Sequence, residues 1–111
     1  MNANVKPIDL DSLQRSATQA CGLLKVLANR DRLLLLCQMS QGQCCVTDLE
    51  NMTGIKQPTL SQQLTILREE QMVNTRRDGK QIFYSLASKE AMAVMQVLYE
   101  QFCNDTKGVN K

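Results

Sequence analysis

A chain of 111 residues reads as one domain, 1–111, which on folding buries roughly two-thirds of the surface of its unfolded form. Thirteen Lys and Arg against eleven Asp and Glu leave a net charge of +2, so only the placement of charge, not its sum, can argue for a nucleic-acid partner. With no His the commonest metal ligand and catalytic base is missing, which argues against hydrolase or His-zinc chemistry, and five irregularly spaced cysteines do not form a secreted disulfide framework.

The first predicted helix covers 9–28. Leu10, Leu13, Ala17, Ala20, Leu24 and Leu27 recur at spacings of three, four, three, four and three, a heptad-like stripe longer than a small core needs. Part of it is therefore expected to meet a second copy of the chain. Cys21 lies beside this stripe and is expected to pack. Asn29 is suited to cap a second helix carrying Leu33 to Leu36 and Cys37, which should stop at Gly42.

Residues 47–70 carry a helix-turn-helix pattern. Thr47-Asp48-Leu49-Glu50 reads as a capping box in which Thr47 and Glu50 close the start of the third helix, and Gly54 ends it. Pro58 fits the first position of the fourth helix, where its missing N–H costs nothing. Projected at 100° per residue, Leu60, Leu64 and Leu67 fall within about 60° of one another. Gln62 then lies opposite them, amid Thr59, Ser61 and Thr65, so the outward face is hydroxyls and amide rather than the Glu and Lys of an ordinary solvated helix. Gln pairs well with adenine, and Ser or Thr can donate to a base edge or a phosphate.

Residues 72–86 read as a hairpin. Met72 to Arg77 and Gln81 to Leu86 have strand composition and are joined by Asp78-Gly79. Arg76, Arg77 and Lys80 set three positive charges against one Asp at its tip. Such a tip is often only solubilising; directly after a helix-turn-helix it reads as a wing that touches phosphates. Lys56, Gln57, Thr59, Ser61 and Gln62 from the helix and its turn, with Arg76, Arg77, Lys80 and Gln81 from the wing, are the candidate DNA contacts.

Ser88 is suited to cap a last helix over 88–103, with Met92, Met95, Tyr99 and Phe102 on one stripe and Val94 and Leu98 continuing it around the side. A helix so apolar on more than one side needs cover, and pairing of the first and last helices of two copies would supply it. The tail 104–111 is polar and expected to fray. The expected fold is mainly α with a small β-hairpin: a winged helix-turn-helix of about five helices and a two-stranded wing, dimeric through its first and last helices. With no apolar run of about 18 residues and no signal-peptide pattern, the expectation is a cytoplasmic chain with reduced thiols and no membrane partner.

On spacing alone, Cys37 and Cys103 both face packed surface, which is where free Cys most often sits as a small hydrophobe. Cys44 and Cys45 fall at a loop-to-helix junction, where a partly exposed thiol can have a lowered pKa; tolerated surface cysteines are the alternative.

Arg32-Leu33 opening the second helix, Asp48-Leu49 in the third, Pro58-Thr59-Leu60-Ser61-Gln62-Gln63-Leu64 in the fourth and Arg76-Arg77-Asp78-Gly79-Lys80-Gln81-Ile82-Phe83-Tyr84 in the wing together resemble the ArsR-type dimeric repressors. The likeness runs from about Ser16 to Cys103. It implies operator DNA as a partner, a homodimer, no enzymatic activity and no cofactor. Two familiar metal-ligand patterns of that family are incomplete: Cys45-Val46-Thr47 has Thr in place of the second Cys of Cys-x-Cys, and the last helix has no His. The chain is more similar to the sulfide-responsive BigR and SqrR branch, whose two thiols correspond here to Cys37, after Leu33-Leu34-Leu35-Leu36, and Cys103, after Tyr99-Glu100-Gln101-Phe102.

That resemblance implies a repressor whose Cys37 and Cys103 become linked by a disulfide or a sulfur chain when persulfides or polysulfides accumulate, releasing the operator and derepressing sulfide-detoxification genes. The alternative is a soft-metal or arsenite-responsive repressor using Cys44 or Cys45 with Cys37 or Cys103.

Overall fold

The computed structural model describes residues 9–103. Five α-helices and a three-stranded antiparallel sheet follow in the order α1 (Leu10–Leu27), α2 (Arg30–Met39), β1 (Cys44–Cys45), α3 (Val46–Thr53), α4 (Thr59–Glu69), β2 (Val73–Asp78), β3 (Gln81–Leu86) and α5 (Lys89–Leu98), with a π turn, Tyr99–Cys103, extending α5. No helix among the described residues is long and apolar enough to cross a membrane. The expectation for 104–111 lies outside the described residues.

Side-chain caps start three of the helices. Asp9 Oδ1 accepts from the Ser12 N–H at 2.8 Å, Asn29 Oδ1 from Arg32 N–H at 3.0 Å, and Ser88 Oγ from Ala91 N–H at 3.0 Å. Each satisfies a backbone donor that the first turn leaves without a partner. The α3 start differs from the sequence expectation. Cys45, not Thr47, is the N-cap, and the Asp48 carboxylate reaches back to the Cys45 N–H at 3.3 Å. The helix begins earlier because pairing of Cys44 and Cys45 with β3 fixes the chain just before it. Similarly, Pro58 is the N-cap of α4 rather than its first residue.

Two left-handed residues turn the chain at the ends of α3 and α4. Gly54 has φ 78° and donates its N–H to the Glu50 carbonyl. Gln71, at φ 61°, does the same without glycine's freedom: Met72 N–H reaches Leu67 O at 2.9 Å and Gln71 N–H reaches Arg68 O at 3.0 Å, a Schellman closure.

The sheet is the second departure. Its strand order is β1-β3-β2, so the wing is a hairpin backed by a third, two-residue strand rather than two strands alone. Cys44 pairs with Tyr84 and Cys45 with Phe83, while β2 runs from Val73 opposite Leu86 to Asp78 opposite Gln81. The core lies where α2, α3 and α4 meet this sheet; Leu35, Leu36, Leu49, Leu60 and Leu67 are its largest fully buried side chains. Burying a side chain of that size contributes about 1.5–3 kcal/mol.

Of α1, by contrast, only Val26 and Leu27 are buried. Leu10 is 65% exposed, and on the C-terminal helix Phe102 is 74% exposed.

Candidate DNA interface and thiol site

Because Leu60, Leu64 and Leu67 are drawn into the core, α4 turns Ser61, Gln62 and Thr65 to solvent, with Thr59 half-buried at its start and Lys56 and Gln57 exposed in the turn before it. Some of this polar face is already engaged. The Gln57 carboxamide oxygen accepts from Ser61 N–H at 3.0 Å, serving as the side-chain cap that Pro58 cannot provide, which leaves its NH₂ group for an outside acceptor. Thr65 Oγ1 donates to the Ser61 carbonyl at 2.9 Å. Ser61 and Gln62 thus keep their side chains uncommitted to these bonds.

The wing cations are not equivalent. Arg76 sits across from Phe83 in the β2–β3 register, with its guanidinium carbon 4.9 Å from the ring centroid. Its Nε donates to Gln43 Oε1 at 3.3 Å, and Nη1 lies 3.6 Å from the Asp78 carboxylate. Arg77 donates from Nη1 to the Gly79 carbonyl at 3.4 Å, and Lys80 and Gln81 are exposed at the tip. Arg76 is therefore chiefly bound into the wing, whereas Arg77 and Lys80 present charge outward. Gln43, which anchors Arg76 from 33 residues away, carries no sequence signal of that role.

Cys37 is half-buried on α2, and Cys103 is exposed at the close of the π turn. Burial pushes the Cys37 thiol above its ordinary value, and the charge of Cys103 pushes it further in the same direction. At Cys37 a cleft of about 360 Å³ is lined by this residue with Ser40, Met92, Met95 and Tyr99. Ser40 donates its hydroxyl to the Cys37 carbonyl at 2.6 Å, holding the C-terminal turn of α2 at this point.

Cys44 and Cys45 depart from the expectation of a partly exposed thiol or a surface cysteine. Both are buried. Cys44 Sγ points at the Gly42 carbonyl, 3.5 Å away, and its pKa is raised by burial and then by the charges of Asp48 and Cys45. Strand pairing against β3 carries them inward, an effect that spacing along the chain does not reveal. Cys21 departs in the opposite sense, being exposed on α1 rather than packed.

A model of bacterial regulatory proteins of the arsR family matches residues 29–75, from the cap of α2 into β2. The chain is 47% identical over 103 residues to the biofilm growth-associated repressor of Agrobacterium fabrum, with 88% of each chain covered. The chain belongs to the ArsR family. Among solved structures, the transcriptional repressor BigR from Xylella fastidiosa superposes with a TM-score of 0.80 at 43% identity, over 86% of this chain and 98% of that one. Reduced HlyU from Vibrio cholerae gives a TM-score of 0.80 at 34% identity, over 85% and 99%.

As an ArsR-family protein of the BigR type the chain is a DNA-binding transcriptional repressor, not an enzyme. The winged helix-turn-helix expected from the sequence is the fold shared with these structures. At the family's Cys-x-Cys position Thr47 is exposed beside the buried Cys45. Among the described residues no group of three or more Cys, Asp or Glu is placed to hold a metal ion.

Proposed function

We propose that this repressor senses reactive sulfur species through Cys37 and Cys103. The observation that carries the reading is geometric: Cys37 of α2 lines one cleft with Met92, Met95 and Tyr99, and Tyr99 opens the turn that ends in Cys103. The two thiols also differ usefully in exposure. Cys103 meets solvent directly, and Cys37 is half-buried at the edge of a cleft of about 360 Å³ that offers room for additional sulfur atoms.

In the proposed reaction a persulfide, RSSH, supplies the oxidising sulfur. One cysteine thiolate takes its outer sulfur and releases RSH, forming a protein persulfide; attack by the second cysteine on the inner sulfur expels H₂S and leaves a disulfide. With two persulfides, two thiols give a trisulfide bridge, two RSH and one H₂S. The longer bridge relaxes the roughly 7 Å Cα limit of a direct disulfide. Linking α2 to the end of α5 alters the spacing or mobility of the two α4 helices in a homodimer, and the operator is released. In that dimer α1 and α5 cover their exposed apolar stripes with a second copy. Gln57, Thr59, Ser61 and Gln62, with Lys56, face the groove; Arg77, Lys80 and Gln81 face the backbone, and Arg76 shapes the wing.

Intact mass spectrometry after persulfide, peroxide, arsenite or zinc treatment, with DNA binding measured on each sample, tests this reading. Release that tracks a net gain of sulfur or loss of two hydrogens, and that disappears in Cys103→Ser, is the expected result. Equal release of Cys103→Ser would sink the assignment. Release by metal with thiolate absorbance and no covalent mass change would favour the soft-metal alternative.

A further inference from the structure

The α4 helix has to be held at a fixed angle to read a groove, and one side chain outside it is built to do this. Arg32, in the first turn of α2, spreads its guanidinium across three acceptors. Nε donates to the Val26 carbonyl at 2.8 Å and Nη2 to the Lys25 carbonyl at 3.3 Å, both in the last turn of α1. Nη1 donates to Gln63 Oε1 at 3.0 Å on α4, 31 residues away. Its own N–H is meanwhile fixed by the Asn29 cap. The cation thus closes the negative end of α1 and grips the middle of α4 at once.

We propose that Arg32 is a positioning residue for sequence-selective DNA binding: through Gln63 it sets the rotation of α4 against α1 and α2 without touching DNA. Gln63 is half-buried and adjoins the exposed Gln62, so the same turn of α4 has one amide tied inward and one free. At roughly 5–6 Å from a helix axis, a 10° rotation displaces a side chain by about 1 Å, enough to take it out of hydrogen-bond range of a base edge. Guanidinium geometry matters because its donors lie in one rigid plane; the single ammonium of Lys cannot span the same three acceptors. The proposal rests on α4 as the reading helix, and its test separates the two.

The probe is a duplex enriched by the wild-type protein from a randomised pool, with a scrambled duplex as control. Binding to both is measured for Arg32→Ala, Arg32→Lys, Gln63→Met and the Arg32→Ala/Gln63→Met double variant of the full chain. Hydrogen exchange of the α4 amides and urea unfolding are followed in parallel. Each single variant is expected to lose about tenfold in affinity for the enriched duplex, the scale of one charge-assisted hydrogen bond, and to bind the scrambled duplex as wild type does. The double variant should lose no more than either single one, and the α4 amides should exchange faster. Additive losses would overturn the proposal, since Gln63 would then act on DNA independently of Arg32. So would an Arg32→Ala loss wholly explained by its unfolded fraction, and Gln63→Met, which removes only the acceptor, decides the matter if Arg32→Ala does not fold. Should wild type enrich no sequence, the reading role of α4 fails instead, and the exchange rates alone judge Arg32: unchanged rates overturn its hold on α4.

Discussion

The helix-turn-helix and the outer helices use the same kind of apolar spacing to opposite ends. In α4 the stripe Leu60, Leu64 and Leu67 is wholly enclosed by α2, α3 and the sheet. In α1 and at the end of α5 the stripes remain open, with Leu10, Leu13, Leu24, Tyr99 and Phe102 all exposed. A helical period of apolar residues therefore specifies a face to be covered, not what covers it. The chain supplies the cover for α4; in the dimer proposed above, a second copy covers α1 and α5 about a two-fold axis that also pairs the α4 helices.

The contrast is sharpened first by Leu60→Ala. With no exposed surface at Leu60, this change should cost about 2–5 kcal/mol of folding stability, read as a drop in the urea midpoint. Phe102→Ala should leave that midpoint of the isolated subunit nearly unchanged and instead weaken self-association by about tenfold or more in sedimentation velocity. A Phe102→Ala chain that stays as tightly dimeric as wild type would break the comparison. Arg77→Ala should reduce the salt dependence of DNA binding by about one phosphate contact, whereas Arg76→Ala, bound to Gln43, Asp78 and Phe83, should alter the slope less and loosen the wing more. Equal slopes for the two variants would remove the distinction between them.

A weaker effect follows from pH. Cys37 and Cys44 have folded-state pKa values raised above those of the unfolded chain. The folded state therefore holds protons that the unfolded state gives up, so their contribution is fully present below the ordinary thiol pKa and is lost as pH rises through the folded values. The urea midpoint should fall in the alkaline range, and less steeply in Cys37→Ser; a rise there would contradict both shifts. Smallest is Gln71→Gly, expected to raise stability by about 0.5–1 kcal/mol by easing the left-handed turn after α4.

What the chain's sequence determined by itself is whatever depends on neighbours within a few positions. The leucine period of α4, the caps Asn29 and Ser88, the stop at Gly54 and the Asp78-Gly79 turn all act between residues up to four apart, where helix and hairpin geometry fixes who meets whom. Those signals, with the family likeness, were enough for the winged helix-turn-helix and for its repressor class. Tertiary structure decided the rest, because its partners are far apart in the chain. Cys44 and Cys45 become a buried strand only by pairing with Tyr84 and Phe83. Arg76 becomes part of the wing through Gln43, and Arg32 reaches Gln63 across 31 residues. Cys37 comes to share a cleft with Met92, Met95 and Tyr99 only across more than 50 residues of chain. No spacing rule encodes such meetings; they exist only when the core that α2, α3, α4 and the sheet share has closed.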